Sequence, residues 1–300
     1  MRSLVRASTG LSAGVILFVS TVALACQAET PGRDSVAADR PEILQSTGEP
    51  LVTAGASLPH ATDFLTAGCS TLMYAALDYT ARARCRSGLT SRKYTHFYVY
   101  PYNESDFGGP AFDYYQHPNR FREILLELRA AGFHPVVWLV PDDAPKFSAL
   151  RVEAVQALVT RLVPVVDDLV SSYVLGLELD EYWAASTVDR LGTHLSGLTA
   201  KPIAVHQTPG RWDYCKFDWC DYMILQYGFE SELGDIERMT RAAIAELGKP
   251  VVAGEYEVES EERAIRRGDQ GVAAGAAGFG NGGTPEGVAR WRSDAEAAGR

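Results

Sequence analysis

Residues 133–179 read FHPVVWLV-PDDAPKFSALR-VEAVQALVTRLVPVVDDLVSS-YVLGLEL, and this stretch decides the fold. Phe133 to Val140 is an apolar, β-branched run stopped by Pro141-Asp142-Asp143, the pattern of a buried strand. Val155, Leu158, Val159, Leu162, Val163 and Val166 then recur at three- and four-residue intervals, which puts them on one face of a helix, with Pro164 a point for a kink. Tyr173 to Leu179 is a strand again. A strand, a helix and a strand in so short a span make a crossover unit with parallel strands.

The same alternation extends both ways. Upstream, Tyr94 to Tyr102 reads as a strand, and Phe121, Ile124, Leu125 and Leu128 as the apolar face of a helix. Downstream come a helix over about 187–198, strands at Pro202 to His206 and Tyr222 to Tyr227, and a helix marked by Ile236, Met239, Ala243 and Leu247 with Asp235 at its N-cap. Val251 to Gly254 is the next strand, followed by a helix over about 260–273, a short strand from Ala276 to Phe279, and a helix from Pro285 to about 298. Those strands number seven, and Leu51 to Leu58 is the candidate for an eighth, at the start. Eight such units close into a single (β/α)8 TIM barrel. An open doubly wound sheet would bring a glycine-rich phosphate loop after an early strand, and the sequence has none. Residues 207–221 carry no helical pattern, so the connection from strand five to strand six is expected to be irregular. Residues 59–93 are long for one crossover and are expected to hold an insertion.

The chain of 300 residues is 46% hydrophobic and 22% charged, which suits a globular body rather than a disordered one. Its N-terminus stands apart. Arg2 and Arg6 precede an uncharged apolar run, Leu11 to Ala25, of signal-peptide length and too short to span a bilayer comfortably. The run ends Val22-Ala23-Leu24-Ala25-Cys26, which resembles the lipobox of bacterial lipoproteins. The expected division is a signal peptide over 1–25 with lipidation at Cys26, a polar tether over 26–48, and the barrel over 49–300. The expected location is outside the cytoplasm, on a lipid anchor or secreted. Four cysteines remain, and pairing neighbours in sequence gives Cys69–Cys85 and Cys215–Cys220. A formal charge of −10, or −12 without the signal peptide, disfavours nucleic acid and anionic lipid surfaces as partners.

Active sites of such barrels lie at the C-terminal ends of the strands. Here the strands end in Asn103-Glu104, Asp142-Asp143, Glu178-Leu179-Asp180-Glu181, His206-Gln207, Gln226-Tyr227, Glu255 and Asn281. Carboxylates beside aromatic residues suit sugar chemistry, in which one acid protonates the leaving oxygen and a second carboxylate attacks or stabilises the anomeric carbon. Trp183, Trp212 and Trp219 are candidate stacking walls for a sugar. Neither H-E-x-x-H nor G-x-S-x-G occurs.

Lys249-Pro250-Val251-Val252-Ala253-Gly254-Glu255-Tyr256 resembles the seventh-strand motif of clan A glycoside hydrolases, the cellulase and mannanase group, and Gly176-Leu177-Glu178-Leu179-Asp180-Glu181 resembles the fourth-strand motif. The resemblance implies that Glu255 is a nucleophile and Glu181 an acid/base. It further implies that Tyr227 contacts the nucleophile and that His206 faces the substrate. Asp180 stands where the family has asparagine, and Asn281 and Phe279 where it has tryptophan. Alternation along strand four points Glu178 and Asp180 inward, as further candidates for the acid or for substrate contacts. The resulting expectation is a retaining glycosidase with no metal or organic cofactor, a carbohydrate substrate, and the membrane as a partner only through the N-terminal lipid. Its rivals are a chitinase- or lysozyme-like barrel hydrolase and a non-catalytic sugar-binding lipoprotein.

Overall fold

The computed structural model describes residues 61–63, 65–66, 69–70, 74–91, 94–103, 111–141, 145–228, 231–255 and 261–281. The signal peptide, Cys26, the tether, Leu51 to Leu58, Glu104, Asp142-Asp143 and the helix expected over 285–298 lie outside the described residues.

The barrel strands are β1 (Ala61–Asp63), β2 (His96–Val99), β3 (His134–Val140), β4 (Ser172–Gly176), β5 (Ile203–His206), β6 (Tyr222–Gln226), β7 (Val251–Glu255) and β8 (Gly278–Asn281). β2 to β8 pair in sequence order, every one of these ladders is parallel, and β1 joins the far side of β8. β1 also lies against β2, which closes the ring. The chain is therefore a (β/α)8 barrel, as the alternation predicts. Its first strand is Ala61–Asp63, downstream of the stretch Leu51 to Leu58.

The longer helices are α1 (Tyr79–Ser91), α2 (Pro118–Ala130), α3 (Val152–Val166), α4 (Ala185–Ser196), α5 (Leu233–Leu247) and α6 (Glu261–Ala273). Their apolar stripes face the sheet: Phe121, Ile124, Leu125 and Leu128 of α2 are buried, as are Val155, Val159, Leu162, Val163 and Val166 of α3. Pro164 sits inside α3 without ending it. α5 begins one turn earlier than expected. Glu232 is its N-cap and Asp235 the third helical residue, and the two side chains close a reciprocal capping box.

Alternation divides the core in two. Tyr98, Val136, Trp138, Val174, Tyr222 and Val252 fill the barrel interior. Their neighbours Phe97, Val137, Tyr173, Met223 and Val251 pack against the helices.

Between β5 and β6 there is no helix. Residues 207–221 form a loop with a single 3₁₀ turn, Asp213–Lys216, bridged by the Cys215–Cys220 disulfide. A loop without its own ladder must satisfy its backbone groups some other way. Lys249 Nζ donates to the carbonyls of Cys215 and Phe217, both at 2.8 Å, and Tyr214 Oη donates to the Trp183 carbonyl. The Trp219 indole lies flat on α4, so close that a Cβ at Gly192 would sit 2.0 Å from it, and its Nε1 donates to Asp189. Lysine before the seventh strand thus has a structural task here. The long stretch before α1 contains a small hairpin, Leu65–Thr66 with Cys69–Ser70. Cys85 is disulfide-bonded, and the side chain of Cys69, its expected partner, lies outside the described residues.

Candidate active site

β5, β6 and β7 end side by side, and their last residues turn to the same C-terminal mouth of the barrel. On β5, Ile203 and Val205 face the helices while Ala204 faces inward, so His206 points into the barrel. On β6, Tyr222 and Ile224 face inward, so Gln226 does too.

β7 would break this pattern without one device. Val252 faces inward and Ala253 outward, so strict alternation would send Glu255 to the helix layer. The register slips instead: Leu225 pairs with Ala253, but Gln226 pairs with Glu255 and passes over Gly254. The extra residue acts as a β-bulge and returns Glu255 to the inner side. Only glycine fits there, because a Cβ would lie 2.3 Å from Ile224 Cγ2 and 2.7 Å from the Leu225 carbonyl oxygen.

His206 links the ends of strands four and seven. Its Nδ1 accepts from the Glu178 backbone N–H at 3.3 Å, and its Nε2 lies 3.4 Å from Glu255 Oε2. The ring is fully buried, and burial pushes its pKa down to about 3, so the imidazole is neutral. Since Nδ1 accepts, the proton is on Nε2 and faces the Glu255 carboxylate. The contact is that of a neutral donor dipole near an acid, too long for a formed hydrogen bond. The Trp138 ring, 5.4 Å from His206, forms the floor, with Tyr100 stacked 5.7 Å beyond it.

The end of strand four departs from the expected geometry. β4 stops at Gly176, where a Cβ would collide with Leu179 and Val140. Leu177 then joins the interior cluster, and Glu178 takes a left-handed conformation at φ 44, ψ 42, the only non-glycine residue with positive φ among those described. That conformation costs an L-residue roughly 1–2 kcal/mol and is held by the contact with His206. Inward alternation of Glu178 and Asp180 is therefore corrected: both follow the strand, and Leu179–Tyr182 is a single helical turn. Glu178 is half-buried beside His206. Glu181 is exposed, and its Oε2 accepts from Tyr182 Oη at 2.9 Å.

Several substrate contacts are reassigned. The Asp180 side chain is 1% exposed and already engaged, accepting from Thr208 N and Oγ1 and pairing with Arg211 at 3.1 Å. It anchors the loop after β5 rather than a ligand. Tyr227 faces outward, and its buried hydroxyl bonds Thr240 of α5 at 2.7 Å, away from Glu255. The inward place on β6 belongs to Gln226, which sequence reasoning passed over although alternation from Tyr222 and Ile224 marks it. Trp212 lies on the flank, its Nε1 bonded to Glu246 near the end of α5, and Trp183 is buried beside Phe147 and Leu179. Trp219 fills space against α4. None of the three forms a wall at the mouth. Asn281 ends β8, in register with Asp63. Among the described residues, no group of three His, Cys, Asp or Glu side chains is placed to hold a metal. A cleft of about 510 Å³ lies elsewhere, lined by α1 and α2 residues such as Arg82 and Glu127, and no strand-end residue borders it.

No protein-family model and no curated protein matches the sequence. Solved structures do resemble the fold. A glycoside hydrolase family 5 protein from Bacteroides vulgatus ATCC 8482 matches with a TM-score of 0.61 at 13% identity, over 77% of this chain and 61% of that one. An exo-β-1,4-mannosidase from Opitutaceae bacterium strain TAV5 matches with a TM-score of 0.52 at 16% identity, over 85% of this chain and 62% of that one. A family 5 enzyme from Prevotella bryantii B14, solved with a xyloglucan tetradecasaccharide, matches with a TM-score of 0.52 at 8% identity, over 78% of this chain and 95% of that one. The chain thus spans about three fifths of the first two. At these identities the likeness is one of architecture: this chain is built on the (β/α)8 barrel that those glycoside hydrolases share.

Proposed function

We propose that this protein is a retaining glycoside hydrolase acting on an oligosaccharide or polysaccharide outside the cytoplasm. The observation that carries the reading is Glu255, turned inward by the Gly254 bulge to the C-terminal mouth of the barrel and faced by the buried, neutral His206. The barrel shared with family 5 glycoside hydrolases supports it as fold-level analogy.

In the proposed reaction Glu181 gives its proton to the glycosidic oxygen while a Glu255 oxygen attacks the anomeric carbon. The carbon–oxygen bond to the leaving sugar breaks, and a glycosyl-enzyme ester forms. Glu181, now a carboxylate, takes a proton from water, the water oxygen attacks the same carbon, and Glu255 leaves as a carboxylate. The His206 Nε2 lies 3.4 Å from the Glu255 carboxylate, a neutral group facing the attacking oxygens. Retention requires the two carboxyl groups to approach to about 5–5.5 Å. The Cys215–Cys220 disulfide agrees with an oxidising compartment, and the reading includes membrane attachment through a lipid on Cys26.

The test is intact-protein mass spectrometry after incubation with activated 2-fluoro glycosides of several sugars. A stable adduct on the wild type and none on Glu255→Gln is the expected result. No adduct with any sugar, together with saturable sugar binding, would establish the sugar-binding lipoprotein instead. Azide rescue separates the acids: Glu181→Gln is expected to regain turnover of an aryl glycoside in azide. If Glu178→Gln is rescued and Glu181→Gln is not, the proton donor is Glu178.

A further inference from the structure

We infer that Gln226 reads the substrate hydroxyl on the carbon next to the one that Glu255 attacks. The inference rests on the glycosidase reading above and assigns a specificity-determining contact to it.

Gln226 is 6% exposed, and its Oε1 is sealed from solvent with no hydrogen-bond partner among the described residues. Leaving a buried amide oxygen unpaired costs about 1–3 kcal/mol, so such groups are rare and call for an explanation. Gln226 pairs with Glu255 on the adjacent strand, so their backbones run about 4.8 Å apart across the sheet. Both face the same inner side, above the aromatic floor of Trp138 and Tyr100.

The chemistry of the missing partner follows. An amide oxygen needs a donor, the neighbouring Glu255 carboxylate repels an anion, and the donor that a glycoside ring carries is a neutral hydroxyl. Once the anomeric carbon is seated on Glu255, the nearest hydroxyl in the ring is the one on the adjacent carbon. Asp180 does not compete for it, because both its oxygens are held by Thr208 and Arg211. As the attacked carbon gains positive charge, the neighbouring hydroxyl becomes a stronger donor, and its bond to Gln226 tightens in the transition state. The contact therefore acts on kcat more than on KM.

The test compares wild type with Gln226→Met, which keeps side-chain length and removes the polar end, and with Gln226→Leu. Substrates are 4-nitrophenyl β-D-glucoside, β-D-mannoside and β-D-galactoside beside their 2-deoxy counterparts, with thermal melting to verify folding. The ratio of kcat/KM for hydroxylated over deoxy substrate is expected to fall about 100-fold in both variants, which cancels the intrinsic reactivity of the deoxy sugars. A ratio unchanged from wild type overturns the inference. A second measurement needs no turnover: by calorimetry, Gln226→Met is expected to lose affinity for 1-deoxynojirimycin, which has that hydroxyl, and to keep it for isofagomine, which lacks it. Equal losses for both also overturn it. A wild type that forms 2-fluoroglycosyl adducts while the variants keep the ratio isolates the failure to Gln226. A wild type with no adduct, turnover or iminosugar binding removes the glycosidase reading, and this inference with it.

Discussion

Gln207 and Gln226 are both buried glutamines just past or at the ends of neighbouring strands, and they live in opposite surroundings. Gln207 is engaged at both ends: its Oε1 accepts from Tyr214 N at 2.8 Å and its Nε2 donates to Asp213 at 3.0 Å. Among the described residues Gln226 leaves its Oε1 unpaired beside Glu255. The cluster around Gln207, with Asp180, Thr208 and Arg211, is complete in the free protein and holds a loop in place. In the cluster at the mouth, His206 Nε2 and Gln226 Oε1 have no hydrogen-bond partner among the described residues. Satisfied polar groups in an interior specify structure, whereas unsatisfied ones mark where something else is meant to bind.

Acid gives the largest expected effect at the mouth. An unfolded His206 takes up a proton below about pH 6.5, while the folded one resists until about 3. Between those values the unfolded state binds more protons, so stability is lost as pH falls through that window, by about 3 kcal/mol at pH 4. Urea unfolding at pH 7 and pH 4 should show this extra loss in the wild type and its absence in His206→Leu. The two glutamines themselves give the sharpest contrast. Gln207→Leu orphans the buried Tyr214 N–H and should cost about 2 kcal/mol in chemical denaturation. Gln226→Leu should cost close to nothing, or stabilise, and equal costs would erase the distinction. Asp180→Asn gives up the charge that pairs with Arg211 and should lower stability by about 1 kcal/mol, with the hydroxyl-over-deoxy ratio intact. Smallest of all, Trp212→Phe gives up one exposed bond to Glu246, so less than about 0.5 kcal/mol and no change in KM are expected.

The barrel was legible because its signal is repeated. The stripe Val155, Val159, Leu162, Val163 and Val166 and its counterpart in α2 report a helix's inner face directly, and the burial agrees. The want of a helix over 207–221 was equally readable from composition. At the mouth, legibility depended on whether alternation survived. It survives on β6, where counting from Tyr222 and Ile224 picks Gln226 rather than Tyr227. On β4 it ends at Gly176, because Leu179 and Val140 crowd that position and Glu178 turns left-handed, and neither a motif nor a period announces such a turn. Trp212, Trp219 and Asp180 are ambiguous in the sequence for another reason. Their residue types suit sugars and loop anchoring equally, and only their partners tell which applies.

The slip at Gly254 has a consequence for how this site can change. A side chain's face of the sheet is a parity that a bulge resets: Glu255 stands three residues after Val252 yet shares its side, because the pairing passes over Gly254. Closing the slip, so that Gly254 rather than Glu255 paired with Gln226, would leave the sequence intact yet send Glu255 outward among the helices, whereas deleting Gly254 would keep it inward. The reverse change, a slip opened in a regular strand of an inert barrel, would swing an outward-facing acid into the mouth. Activity on such a strand can therefore be acquired or abolished in a single discrete step, by moving an existing side chain rather than inventing a new one.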